Sequence, residues 1–232
     1  MILHPLRLTT ALALATIACV PEAGADARPA RPLQVQGHLL PPPSPAAATP
    51  VTDPVLDRAK AAAMAFSGQL RGNLQAAMQA GGPVAAVDVC HLEAPAIAAR
   101  VMAEHGVRLG RVALPGRNRN PAQAAGDWQL AMLEIFHQRV ADGEAAADQV
   151  AVMRGHLPDG VALRMLRGIA TEPGCLACHG KDVAGPVRDA ILAHYPDDHA
   201  TGFDVGDLRG ALWVEVPTSV GAPVSPSEDA WP

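Results

Sequence analysis

The segment Cys175-Leu176-Ala177-Cys178-His179 constrains this chain more than any other feature. It is a C-x-x-C-H motif, the pattern through which c-type haem is attached to a polypeptide. Two thiols at that spacing add across the two vinyl groups of the macrocycle. The adjoining histidine then lies under the iron and supplies one axial ligand. A chain built this way must fold around a large, flat, apolar body. A redox C-x-x-C and half of a zinc site are the alternative uses of such a cysteine pair. Haem attachment is the leading expectation.

Haem is attached to this motif only outside the cytoplasm, which directs attention to the N-terminus. Residues 1–25 read as an export signal peptide. Arg7 supplies a basic start, and Leu8 to Val20 is apolar but shorter than the roughly 17–25 residues that span a bilayer. Ala23-Gly24-Ala25 is an A-x-A-like cleavage site before Asp26. Thr16-Ile17-Ala18-Cys19 competes with it as a lipobox, whose cysteine would be lipidated. The expected location is periplasmic, with a membrane anchor only through Cys19. No later segment is long and apolar enough to cross a membrane.

The chain has Cys19, Cys90, Cys175 and Cys178. The first belongs to the signal or carries lipid, and the last two go to haem. Cys90 is left alone in a compartment where free thiols tend to be oxidised. A buried inert thiol, an intermolecular disulfide and a metal ligand are its three possible roles. The net charge is −5, with no basic patch, which argues against nucleic acid and anionic lipid as partners. Aromatic residues make up only 3% of the chain, so aliphatic side chains and alanine must supply most of the core.

Residues 26–52 are rich in proline and alanine and read as an extended tether, and residues 218–232 as a disordered tail. The folded domain is expected at 53–217. Asp53-Pro54 starts a helix, with an N-cap residue followed by proline. Leu56, Ala59, Ala63, Phe66, Leu70 and Leu74 recur at helical spacing, and Gly81-Gly82-Pro83 ends it. A second helix is expected over 88–105 with Ile97 and Val101 inward. A third covers 128–140, using Trp128, Ala131, Ile135 and Val140. A short fourth spans 186–195. Strands are expected at 107–114, at 161–169 and at 209–216, the last with Leu212, Val214 and Val216 on one face. Helices around a few non-adjacent strands imply an α+β domain with a small antiparallel sheet flanked by helices.

Five ordered segments carry a family resemblance. They are Cys90-His91-Leu92-Glu93-Ala94-Pro95, Arg119-Asn120-Pro121, Cys175 to Gly180, Tyr195 to Phe203, and Gly206-Asp207-Leu208-Arg209-Gly210-Ala211. Over 53–217 the chain resembles the DUF3365 family, also called Tll0287-like haem domains. The resemblance implies a PAS-like fold with one covalent haem, as a single exported domain or as a sensor module. It also implies that Cys90 approaches the iron opposite His179, making the two an axial pair. Thiolate donation stabilises Fe(III) and implies a low reduction potential.

Arg119, Asn120 and Arg209 are candidates to pair with haem propionates, since a guanidinium matches a carboxylate through two parallel bonds. Their alternative role is loop stabilisation. His91 adjoins Cys90 but should point elsewhere. His105, His137, His156, His194 and His199 read as surface or hydrogen-bonding residues, and Met132, Met153 and Met165 as core. The chain departs from the family pattern at Gln123, Ala125-Gly126 and Gln129. Phe203 stands for a usual tyrosine, and Trp213 stands where a small residue is common.

The function expected from these residues is low-potential one-electron transfer, or a redox response, with an unidentified redox or signalling protein as partner. The alternative is a periplasmic sensor in which CO or NO displaces the distal ligand. An enzyme is disfavoured, because two protein ligands leave the iron no open position.

Overall fold

The computed structural model describes residues 52–219. The export signal, the lipobox at Cys19, the tether except Thr52, and the tail beyond Ser219 lie outside these residues. Among the described residues no helix is long and apolar enough to cross a membrane.

Helix α1 (Pro54–Asp88) starts where the cap residues dictate. Asp53 accepts the Leu56 backbone N–H at 3.1 Å, and Pro54 occupies the first turn, where no N–H partner is needed. Its buried stripe is Ala59, Ala62, Ala63, Phe66 and Leu70. Gly81-Gly82-Pro83 kinks the helix instead of ending it. Gly82 takes φ 70° and ψ −165°, a conformation readily open only to glycine, and Pro83 begins a new helical run. The expected second helix at 88–105 therefore starts earlier. It is also interrupted, by a π-helical turn at Val89–Glu93, before α2 (Ala94–His105). Pro95 explains the turn. Its ring has no N–H to give and clashes with the carbonyl four residues back, that of His91. The backbone widens instead, and the Ala94 N–H bonds the Val89 carbonyl five residues back.

Four strands form one antiparallel sheet in the order β1-β4-β3-β2. They are β1 (Arg108–Val112), β2 (Val150–Met153), β3 (Val161–Ala170) and β4 (Leu208–Pro217). Strand β2 has no counterpart in the sequence reading. It is four residues at a sheet edge with Val150 and Val152 exposed, too short to show an inward–outward pattern. Leu109, Leu163, Met165, Leu212, Val214 and Val216 face α1 and α2. Val112, Leu166, Ala211 and Trp213 face α3 (Asp127–Ala141). The domain is thus α+β, with a helical layer on each face of the sheet. Complete burial of each large apolar side chain there contributes about 1.5–3 kcal/mol.

Helix α3 is rotated from the expected stripe. Leu133 and Phe136 are its buried residues, whereas Ala131 and Ile135 are exposed. The helix is apolar on more than one side, so spacing alone admits two stripes. Contact with Leu166, Ala211 and Trp213 selects one. Trp213 lies opposite Gly110 in the β1–β4 ladder, and a Cβ at Gly110 would sit 2.9 Å from the indole Nε1. The large ring is admitted because it covers a glycine, with Trp128 edge-on at 6.4 Å. Beside it the buried Glu215 pairs with Arg164 at 2.6 Å and Arg108 at 3.4 Å.

Candidate functional site

The C-x-x-C-H segment forms a 3₁₀ turn (Pro173–Cys175) running into the one-turn helix α4 (Leu176–His179). Glu172 ahead of it receives two hydrogen bonds from Arg71 of α1, at 2.8 and 3.1 Å. Gly180 closes the turn by donating to the Leu176 carbonyl at 3.0 Å. A Cβ at Gly180 would lie 2.6 Å from that same oxygen, so only glycine follows the histidine without displacing backbone.

The imidazole of His179 is held in one tautomer. Its Nδ1 lies 2.6 Å from the Ala200 carbonyl oxygen. A carbonyl only accepts, so Nδ1 carries the proton and Nε2 keeps a lone pair. That lone pair faces the cavity described below and accepts from Arg209 Nη1 at 3.1 Å. Burial, with Arg209 and Arg119 nearby, holds the pKa of His179 well below the ordinary histidine value, so the ring is neutral at neutral pH.

Ala200 is itself fixed. Its N–H donates to Asp198 Oδ1 at 2.9 Å, and the Asp198 carboxylate accepts from Arg119 Nε at 3.1 Å and Nη2 at 3.2 Å. Arg119 Nη2 also donates to the Cys178 carbonyl at 2.7 Å. The Phe203 and Gly202 N–H groups donate to the His179 and Gly180 carbonyls, both at 3.0 Å. Residues 195–203 therefore clasp the motif. This segment follows α5 (Gly185–His194), which buries Val187 and Ile191 against Val87 at the end of α1.

Between α1 and the sheet lies a cavity of about 740 Å³, within the roughly 300–1,000 Å³ usual for cofactor sites. Phe66, Leu70 and Leu74 line one wall, and Ile169 and Leu212 the other. Cys175, Cys178 and His179 line it from the motif, and Cys90 reaches it from the π turn. No disulfide joins any two of Cys90, Cys175 and Cys178. Burial pushes the Cys178 thiol above its ordinary pKa, so it is protonated at neutral pH.

Arg209 enters this cavity because of a β-bulge. Ile169 pairs with Gly210, but the next residue, Ala170, pairs with Leu208, so Arg209 is the extra residue. Strict alternation would place it beside Ala211 and Trp213, toward α3. The bulge turns it to the side of Leu212 and Arg111. Gly210 is required at this corner, since a Cβ there would lie 2.3 Å from the Val112 carbonyl oxygen.

Seven residues were expected at the site: Cys175, Cys178, His179, Cys90, Arg119, Asn120 and Arg209. All seven line this cavity or a smaller one beside it. Arg119 is committed to Asp198 and Cys178. Asn120 caps a 3₁₀ turn, its Oδ1 accepting from the Ala122 N–H at 3.0 Å. Both make loop-stabilising bonds. His91 stacks on His194, with ring centroids 4.3 Å apart, and lines neither cavity. Nor do His105, His137, His156, His194, His199, Met132, Met153 or Met165. Arg111, Asp198 and Tyr195 belong to the site without having been singled out. Arg111 had a signal: it shares strand parity with the buried Leu109, an unusual place for a charge. Among the described residues no three His, Cys, Asp or Glu side chains gather to hold a metal ion by themselves.

The fold and the site define an α+β domain whose C-x-x-C-H turn presents two thiols and a neutral imidazole to a largely apolar cavity. The chain belongs to the Tll0287-like family, whose model matches residues 46–217. The crystal structure of the cyanobacterial haem protein Tll0287 is 30% identical over 56% of this chain and 73% of that one, with a TM-score of 0.45. No curated protein matches the chain.

Proposed function

We propose that this chain is an exported, monohaem c-type protein that transfers single electrons at low potential. The observation that carries the reading is the locked His179 tautomer, with its Nε2 lone pair directed into the cavity beside Cys175 and Cys178. Membership in a family typified by a haem protein supports it.

The residues present fit the group. Cys175 and Cys178 would form the thioethers, His179 Nε2 the proximal ligand and Cys90 the distal one. The Ala200 carbonyl orients the imidazole and raises its basicity as a ligand. Phe66, Leu70, Leu74, Ile169 and Leu212 give the cavity apolar walls for the macrocycle. When bound, haem supplies a one-electron Fe(III)/Fe(II) couple. With His179 and Cys90 both serving as ligands the iron would keep no open coordination position, which favours a carrier over an enzyme. The PAS-like character of the fold rests on the family resemblance, together with a single antiparallel sheet packed by helices. Periplasmic location rests on the N-terminal signal.

A second reading, a sensor in which a small ligand displaces Cys90, draws on the π turn beneath that residue, a backbone form frequent at functional sites. Optical and EPR spectra of the purified protein, oxidised and reduced, with and without CO, separate the two. A low-spin thiolate signature with CO excluded on reduction is expected for the carrier. Ready CO binding would replace it with the sensor, and a chain without covalent haem would end both.

A further inference from the structure

Beside the large cavity is a second one of about 60 Å³ that shares Cys90, Arg111, Arg119, His179 and Arg209 with it. Its lining is different in kind. Arg111, Arg117, Arg119 and Arg209 reach it together with Asn118 and Gln123, and no Asp or Glu side chain of the described residues lines it. Such a concentration of cations is notable in a chain of net charge −5.

The four guanidiniums are not equivalent. Arg119 is matched by Asp198. Arg117 lies over the Phe203 ring, 4.1 Å from its centroid. Arg111 and Arg209 each keep a buried Nε–H without a hydrogen-bond partner. Buried polar groups are satisfied in nearly all native sites, so an unpartnered N–H on two guanidinium side chains that line one cavity points to a ligand there. The Arg209–His179 bond uses the only lone pair of Nε2, and a metal at that nitrogen would release the Arg209 fork. The small volume is about that of two water molecules, room for a carboxylate and little more. Its continuity with an apolar slot selects a ligand with a flat apolar body and an acidic edge.

We propose that Arg111 and Arg209 form a clamp for one haem propionate carboxylate in this small pocket, with Arg119 holding the surrounding loop instead of the carboxylate. The assignment rests on the haem reading of the larger cavity.

The test is potentiometry of the haem-loaded protein across pH, comparing wild type with Arg111→Gln, Arg111→Lys, Arg209→Gln and Arg139→Gln. Arg139 is exposed on α3 and lines neither cavity. Loss of either clamp residue should raise the proton affinity of a propionate about tenfold or more. A proton-linked inflection in the potential then appears that wild type lacks. Arg111→Lys should largely restore the wild-type profile, and Arg139→Gln should match it. Added inorganic phosphate should leave wild type unmoved. Wild-type profiles in both Arg111→Gln and Arg209→Gln overturn the clamp, as does an equal inflection in Arg139→Gln. A phosphate-dependent potential overturns it in favour of a site for free anions. A wild-type preparation without haem overturns the cofactor reading and the clamp together, whereas the other failures leave that reading standing.

Discussion

The carboxylate of Asp198 takes two hydrogen bonds from Arg119, at 3.1 and 3.2 Å, and this buried pair ties the loop after β1 to the clasp over the C-x-x-C-H turn. Arg119 continues to the Cys178 carbonyl, and Asp198 to the Ala200 N–H. One ion pair thus positions both a motif cysteine and the carbonyl that orients His179.

Asp198→Ala should therefore cost about 3 kcal/mol, the scale of leaving one member of a buried pair uncompensated. Denaturant unfolding should show a lower midpoint with an unchanged slope. A loss below about 1 kcal/mol, the size of an exposed pair, would mean that water satisfies Arg119 and the pair does not hold the clasp.

Gly210→Ala should cost more than about 2 kcal/mol, because the new Cβ meets the Val112 carbonyl at 2.3 Å, where only backbone can yield. The bulge that turns Arg209 into the cavity should relax with it. Equilibrium unfolding measures the cost, and a stability equal to wild type would show that the corner does not need glycine.

Gly110 and Trp213 should be coupled. Trp213→Ala alone should cost about 3–5 kcal/mol by opening a cavity under α3. Gly110→Ala should destabilise the wild type by driving a Cβ to within 2.9 Å of the indole, yet be nearly neutral in the Trp213→Ala background. A double-mutant cycle should give a coupling of about 1 kcal/mol or more; simple additivity would mean the indole is not seated on the glycine.

If Cys90 is the distal ligand as proposed, Cys90→Ser should remove thiolate features from the spectrum and raise the reduction potential, since a strong donor to Fe(III) would be lost. The unfolding midpoint should move little. An unchanged spectrum and potential would show that Cys90 is a structural thiol.

Cys178→Ala should leave haem held by one thioether or lost on purification, read from the absorbance of the pyridine-treated protein. Full retention of an ordinary two-thioether spectrum would contradict attachment through the motif.

Much of the helical framework was legible because its signals are local. Asp53-Pro54 caps a helix wherever the rest of the chain goes, and Ala59, Ala63, Phe66 and Leu70 make one face by spacing alone. Leu212, Val214 and Val216 share a sheet face for the same reason. Gly82-Pro83 was less transparent. The pair permits either a stop or a kink, and packing of Ala86 and Val87 into the core decides for the kink. The stripe of α3 was ambiguous because competing apolar positions lie on neighbouring faces. Strand β2 carries too few residues for a period to register.

The sequence by itself determined the chemistry: which thiols and which imidazole stand together at residues 175–179, and that Cys90 is an isolated thiol on the approach to Ala94-Pro95. These follow from identity and short-range spacing. Only the tertiary structure decided which nitrogen of His179 is free, which arginines are already paired, and which way Arg209 points. Each depends on a partner distant in sequence: the Ala200 carbonyl, the Asp198 carboxylate and the β3 ladder. Hydrogen-bond partners and strand register are properties of the folded arrangement, and no local pattern encodes them.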